Sequence, residues 1–143
     1  LRRSFRIASV AVLLVVVAAV FVYAGRHSVP PYDANGRGQL RGTVTGTDVL
    51  MWQGPQAESL GLQIVVVRWR LFPLMISSDF ALETDSVVII EGREAPADER
   101  WRTLEKLGVP RRCTVSYGRR RYSSAESGRF ELPVIERLEI NAK

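Results

Sequence analysis

Residues 64–76 read IVVVRWRLFPLMI, the most apolar run outside the N-terminus, yet Arg68, Arg70 and Pro73 interrupt it. Thirteen residues carrying two arginines are too short and too heavily charged to cross a hydrocarbon core about 30 Å thick. The alternation points to a strand instead, over Leu62–Phe72. Val65, Val67, Trp69 and Leu71 share one face and belong in a core, while Ile64, Val66, Arg68, Arg70 and Phe72 share the other. Pro73 ends the pairing or places it at an edge. The second face is unusually apolar for one turned to solvent. Either a helix covers it, or the face meets a partner or a membrane surface together with the tip residues Leu74 and Met75.

Outward from this strand, four more segments read as strands. LRGTVTGTDVL (40–50) is a long bent strand, since a glycine inside a strand marks a bulge or bend. QGPQAESLG reads as the loop after it. SVVIIEGR (86–93), apolar on both faces through Ile90, reads as a third, central strand. Arg112–Tyr122 is the fourth, and Phe130–Ile140 is the fifth, with Phe130, Leu132, Val134, Leu138 and Ile140 on one face and a polar SSAESG turn before it. Between the third and fourth lies EAPADERWRTLEKLGVP, which carries the marks of one helix. Pro96 falls near its first turn, Asp98 and Glu99 at the positive end, Lys106 in the last turn, Gly108 at the stop and Pro110 beyond it. Trp101, Leu104 and Leu107 recur at helical spacing and can cover one side of a sheet.

The order strand, strand, strand, helix, strand, strand resembles the oligonucleotide/oligosaccharide-binding fold, a five-stranded barrel with its helix between strands three and four. The resemblance spans residues 39–140 and lies in the element order, with no sequence motif behind it. The expected fold class is mainly β: a small five-stranded barrel of that type, preceded by a single transmembrane helix.

That helix is read from the N-terminus. Ile7–Ala24 holds eighteen consecutive residues without a charge, about 27 Å of helix at 1.5 Å per residue and long enough to span a bilayer. Arg2, Arg3 and Arg6 precede it, so the positive-inside bias places the N-terminus in the cytoplasm and the rest of the chain outside it. A cleaved signal peptide is the rival, with small residues near Ala24. The apolar run exceeds the ~7–15 residues usual for one, which favours an uncleaved anchor. The domains expected are therefore an anchor at 1–26, a Pro- and Gly-rich linker at 27–38, and a barrel at 39–143 on the periplasmic side of a bacterial inner membrane.

Charge and chemistry narrow the function. The net charge of +5 is concentrated at the anchor, for from Asp33 onward sixteen basic residues face fifteen acidic ones. Asp79–Glu99 is acidic and Arg111–Arg129 is basic, giving a dipolar domain with two candidate contact surfaces. The single histidine, His27, sits beside the anchor, a poor place for a triad base. The single cysteine, Cys113, alternates with Val115 and Tyr117 as a buried structural thiol would. No catalytic set, metal site or cofactor is expected, and the carboxylates Asp79, Glu83 and Asp85 lack the spacing of a calcium loop. The layout of anchor plus small barrel is similar to that of the periplasmic haem chaperones of cytochrome c maturation. Those attach haem through a histidine of the soluble domain, and here none follows His27.

The candidate binding residues are Arg68, Arg70, Phe72, Leu74 and Met75 on the opening stretch, and Arg119, Arg120, Arg121 and Tyr122 in YGRRRY. Arginines flanked by aromatics pair with phosphates or stack on bases. A periplasmic domain meets no nucleic acid, which leaves anionic lipid headgroups or an acidic protein surface. The expected function is a non-enzymatic accessory subunit or assembly factor of a larger inner-membrane complex. Respiratory or photosynthetic electron-transport complexes are the natural hosts, other membrane subunits the partners, and lipid the surroundings of Ile7–Ala24. The alternative is an exported carrier for lipid or cell-envelope glycan.

Overall fold

The computed structural model describes residues 2–25, 28–53, 59–71, 74–124 and 128–142, with side chains omitted for 20–25, 52, 53 and 59. The elements, in chain order, are α1 (Arg2–Gly25), β1 (Arg37–Gln53), β2 (Ser59–Leu71), β3 (Leu74–Leu82), β4 (Val87–Ile90), β5 (Arg93–Glu94), α2 (Arg100–Lys106), β6 (Arg111–Ser124) and β7 (Gly128–Ile140). Five strands close into a barrel in the cyclic order β1, β2, β3, β7, β6, closed where β3 meets β7 in parallel at Ala81 and Val134. All other neighbours in the ring are antiparallel.

The barrel's third strand is not the one expected. β3 fills that place, and the VVII stretch is a four-residue strand outside the ring that extends β7 in parallel. β3 turns Ile76, Ser78, Phe80 and Leu82 into the interior, a set interrupted by serine and preceded by Pro73, which hid it in the sequence. β4 stops at Ile90 because Glu91 and Gly92 both take positive φ (52° and 80°), as a tight two-residue hairpin into β5 requires. The helix is also shorter than expected. Pro96–Glu99 forms a turn, closed by the Glu99 N–H donating to Pro96 O at 3.0 Å, and α2 itself has only seven residues. It still delivers what the spacing promised, with Leu104 buried and Trp101 and Leu107 packed against the barrel core.

That core fills the barrel with side chains from each of its five strands, including Val44, Val65, Val67, Phe80, Val115, Tyr117, Ile135 and Leu138. Each such burial is worth about 1.5–3 kcal/mol relative to exposure. On β2, Val65, Val67 and Trp69 face inward as expected, whereas Leu71 has left the core and is 56 % exposed. The other face of β2 is covered in part, though not by a helix. Ile64 and Val66 join Leu62, Ala81 and Val134 in a second cluster roofed by Tyr122, Phe130 and Leu132 of the β6–β7 hairpin. β7 can serve both clusters because a bulge shifts its register: Ser116 pairs with Arg137 but Tyr117 pairs with Ile135. The extra residue, Glu136, moves the inward side from odd positions (Ile135) to even ones (Leu138 and Ile140) along the strand.

The stretch before β1 lies along the barrel rather than away from it. Past Ala81 and Val134 the strands β3 and β7 diverge, and Ser28, Val29 and Pro30 share a 160 Å³ cleft there with Ser77, Asp79 and Glu131–Pro133. The Ser28 N–H donates to Ser77 O at 3.1 Å. The Ser78 hydroxyl donates to Ser28 O at 2.6 Å and accepts from Trp69 Nε1–H at 2.8 Å. Tyr117 Oη–H donates to Pro31 O. α1 in turn approaches β3.

Among the described residues no helix is long and apolar enough to cross a membrane, so the membrane span expected at Ile7–Ala24 is not supported by them. The described side chains of α1 run from Arg2 to Ala19 and include Arg2, Arg3 and Arg6. All of them are exposed to solvent, Phe5 at 76 % and Leu14 at 64 % among them.

Candidate anion-binding groove

Strand alternation sends Arg68 and Arg70 of β2, Arg41 and Thr43 of β1, and Arg112 and Thr114 of β6 to the outside of the barrel, while their neighbours Val67, Trp69, Val44 and Cys113 point in. Register then makes a site of them. Thr43 is paired with Arg68 on one side and with Arg112 on the other, and Arg41 is paired with Thr114. Met75 lies opposite Arg70 on β3. Together they rim a groove of about 510 Å³ that also includes Asn141 and has Gly42, Trp69 and Cys113 in its floor. Glycine at position 42 is required by close packing: a Cβ there would come 2.5 Å from Arg68 O and 2.8 Å from a Val67 methyl.

The groove is electrostatically unfinished. Six other arginines of the domain, Arg37, Arg111, Arg119, Arg120, Arg121 and Arg137, are engaged with carboxylates at 2.7–3.9 Å. Arg41, Arg68, Arg70 and Arg112 have no carboxylate partner among the described residues, and none lines the groove. Four like charges around one concavity repel each other and create a positive potential that an anion relieves. The two threonine hydroxyls and the Asn141 amide add neutral polar groups beside them.

The same residues are poorly suited to proton-transfer chemistry. Among the described residues neither an imidazole nor a carboxylate lines the groove, so none of them offers a general base to its contents. Cys113 is in the floor but buried, and burial pushes its thiol up from 9.0 to about 11, which keeps it protonated and unreactive. Among the described residues no exposed aromatic ring lines the groove for a base to stack on, since Trp69 is only 7 % exposed and its Nε1–H is held by Ser78.

Of the residues proposed from the sequence, Arg68, Arg70 and Met75 come together here. Leu74 is half-buried at the start of β3, paired with Leu71 where β2 ends. Phe72 lies outside the described residues. The YGRRRY arginines belong to a different surface, the β6–β7 hairpin, and each is paired with a carboxylate there or next to it, two of them sharing one. Glu131 takes Arg121 at 3.2 Å and Arg119 at 3.9 Å, while Glu83 takes Arg120 at 3.4 Å. Arg119 also stacks 4.5 Å above the Tyr32 ring. Tyr122 Oη–H donates to Glu83 Oε1 at 2.6 Å, and burial together with that acceptor raises its pKa. Glu83 and Glu91, from the acidic run, thus pair with Arg120 and Arg111, from the basic run. The two expected contact surfaces partly cancel each other.

Arg41 and Arg112 were not among the candidates. Their signal in the sequence is parity: Arg41 alternates with Leu40 and Gly42, and Arg112 with Cys113. Only the register of β1 against β2 and β6 reveals that both join Arg68. A second uncovered surface lies at the far end of β2. Beyond Val44 the strand β1 loses β6, and past Val49 and Gln63 β2 has lost β3 as well, leaving the two as a ribbon whose Val49, Leu50, Met51 and Leu60 are exposed by 38–65 %. No family model matches this chain, and no curated protein matches it either.

Proposed function

We propose that this chain is a non-enzymatic, membrane-anchored accessory subunit or assembly factor, whose barrel presents the arginine groove to an anionic surface and the β1–β2 ribbon to a protein partner. The observation that carries the proposal is the groove itself, four arginines that among the described residues have no carboxylate partner and no acid or general base lining the groove with them, which suits binding better than catalysis. The cyclic strand order, with the parallel closure of β3 on β7 and α2 placed before β6, supports an oligonucleotide/oligosaccharide-binding type of barrel. Such barrels commonly bind ligands on an outer face. The filled interior confines the alternative, a ligand-binding or carrier module for lipid or cell-envelope glycan, to the outer face of the barrel or the arginine hairpin.

In this proposal α1 is the anchor. Its eighteen charge-free residues from Ile7 to Ala24 would span a bilayer, and the protein leaves their described apolar side chains uncovered. An apolar helix without a polar face belongs in lipid or against protein. Arg2, Arg3 and Arg6 would hold the N-terminus in the cytoplasm and place the barrel in the periplasm, away from nucleic acid. The host would be an inner-membrane complex, with electron-transport assemblies as the first place to look.

Native-size analysis tests the proposal, using membranes extracted as lipid-containing polymer discs. The chain should migrate with a larger assembly, and Leu50→Ser/Met51→Ser at the ribbon should release it. A wild-type chain that migrates as a monomer in those discs overturns the subunit reading.

A further inference from the structure

We infer that the surface served by the groove is the phospholipid bilayer that α1 enters, with the β2–β3 tip seated in the interface and the groove arginines on headgroup phosphates. The inference rests on the anchor reading above and names the anionic surface left open there.

Three observations meet at this end of the barrel. First, the route from α1 is fixed beside the tip: Ser28, three residues after the helix, is bonded through its N–H to Ser77 O and through its carbonyl to the Ser78 hydroxyl. Ser77 is three residues from Leu74, about 10 Å along a strand. Second, the described residues on either side of the tip are apolar and open to solvent, Leu71 at 56 % and Met75 at 50 %, with Leu74 half-buried between them. Third, the charged residues that line the groove behind the tip are all positive among those described, while Asp79 and Glu131 belong to the separate cleft beside Ser28. Arg70 is the residue just before Leu71 and is paired with Met75, and Arg68 is paired with Ser77 itself. Arg41 and Arg112 continue the row across β1 and β6.

An apolar end followed at once by a collar of arginines matches the layering of a membrane interface, where acyl chains give way to phosphates. Arginine suits the second layer, because its planar fork grips phosphate oxygens in pairs and its stem lies along apolar surface. A chain that meets the barrel at Ser28, bonded to Ser77 about 10 Å along the strand from Leu74, would bring tip and bilayer together without any further contact. The ribbon end of β2 is oppositely placed. Leu60 lies eleven residues from Leu71 on the same strand, about 36 Å away, which leaves the ribbon clear of the membrane for a protein.

The test uses the full chain reconstituted in vesicles, with an environment-sensitive fluorophore on Met75→Cys or, as a control surface, on Glu105→Cys of α2. Buried Cys113 remains unlabelled in the folded protein. In vesicles containing anionic phospholipid, the label at 75 should emit at shorter wavelength than the label at 105 and be quenched by bromine-bearing lipid. Each arginine near an anionic surface contributes about fivefold to binding, so Arg68→Gln/Arg70→Gln should lower the ratio of seated to free tip roughly thirty-fold. High salt should act in the same direction. These exposed substitutions leave the core intact, and unchanged thermal unfolding would confirm that.

Equal, water-like emission at 75 and 105 in a chain retained by the vesicles after alkaline washing would overturn the inference while leaving the anchor in place. Release of the chain by that washing would overturn both. Seating at 75 that is indifferent to the arginines, to salt and to lipid charge would remove the phosphates from the account and overturn the inference as stated.

Discussion

Replacing Ser78 by alanine should loosen the joint between α1 and the barrel. Ser78 is 2 % exposed and stands between two groups, accepting from Trp69 Nε1–H at 2.8 Å and donating to Ser28 O at 2.6 Å. Alanine would leave the indole N–H buried without an acceptor, which costs about 1–3 kcal/mol. Ser28 lies nearer solvent, where water can replace the lost hydroxyl, so that bond adds roughly 0.5–1 kcal/mol. A total of about 2–3 kcal/mol follows. With a urea slope of about 2 kcal/mol/M, the unfolding midpoint should fall by about 1–1.5 M. The assay is urea unfolding of the full chain in detergent, followed by tryptophan fluorescence. Ser77→Ala is the control: its neighbour Ser28 uses only the Ser77 carbonyl, so that variant should stay within about 0.5 kcal/mol of the parent. If Ser78→Ala is equally silent, the relay does not hold the segment, and the route from α1 to the tip loses its fixed point.

Leu104→Ala, which removes the one fully buried side chain of α2, should cost about 2–5 kcal/mol in the same assay. Tyr122→Phe takes a donor from Glu83 and should cost about 1–2 kcal/mol, whereas Arg121→Ala removes only an exposed ion pair and should change stability by less than about 1 kcal/mol. The alkaline side of the stability profile should slope downward. Burial raises the Cys113 thiol from 9.0 to about 11 and Tyr117 from 10.0 to about 12, so the folded state holds these protons more tightly than the unfolded chain. That contribution is complete below about pH 9 and is lost as pH rises through the folded values. Urea midpoints at neutral pH and at about pH 10 should show the decline, and Cys113 should resist thiol reagents until the barrel unfolds.

The local periodicities of β1, β2, β6 and β7 were legible because each alternates apolar and polar residues along most of its length. β3 was not. Its inward positions mix Ile76 and Phe80 with Ser78, whose polarity is explained only by Trp69 and Ser28, groups distant in sequence. A third strand was expected, but at SVVIIEGR, whose continuous apolar run comes from lying against β7 and α2 beside the ring. The Glu136 bulge likewise depends on pairing and leaves no local trace, so the expected single apolar face of β7 divides between two clusters.

For the site, the parity of β2 was enough to turn Arg68 and Arg70 outward. Placing Arg41 and Arg112 beside them needed register across three strands. The arginine triplet illustrates the converse. YGRRRY reads locally as a cationic motif, yet Arg121 faces Glu131 across the hairpin, and Arg120 reaches Glu83 from a strand far away in sequence. Charge in the sequence became free charge only where no carboxylate came within range.

The account depends most on α1 crossing a bilayer, and alkaline washing of membranes from cells producing the chain tests this directly. The chain should stay with the membrane pellet, and protease added from the periplasmic side should remove the barrel. Recovery of the intact chain in the alkaline supernatant would contradict the account.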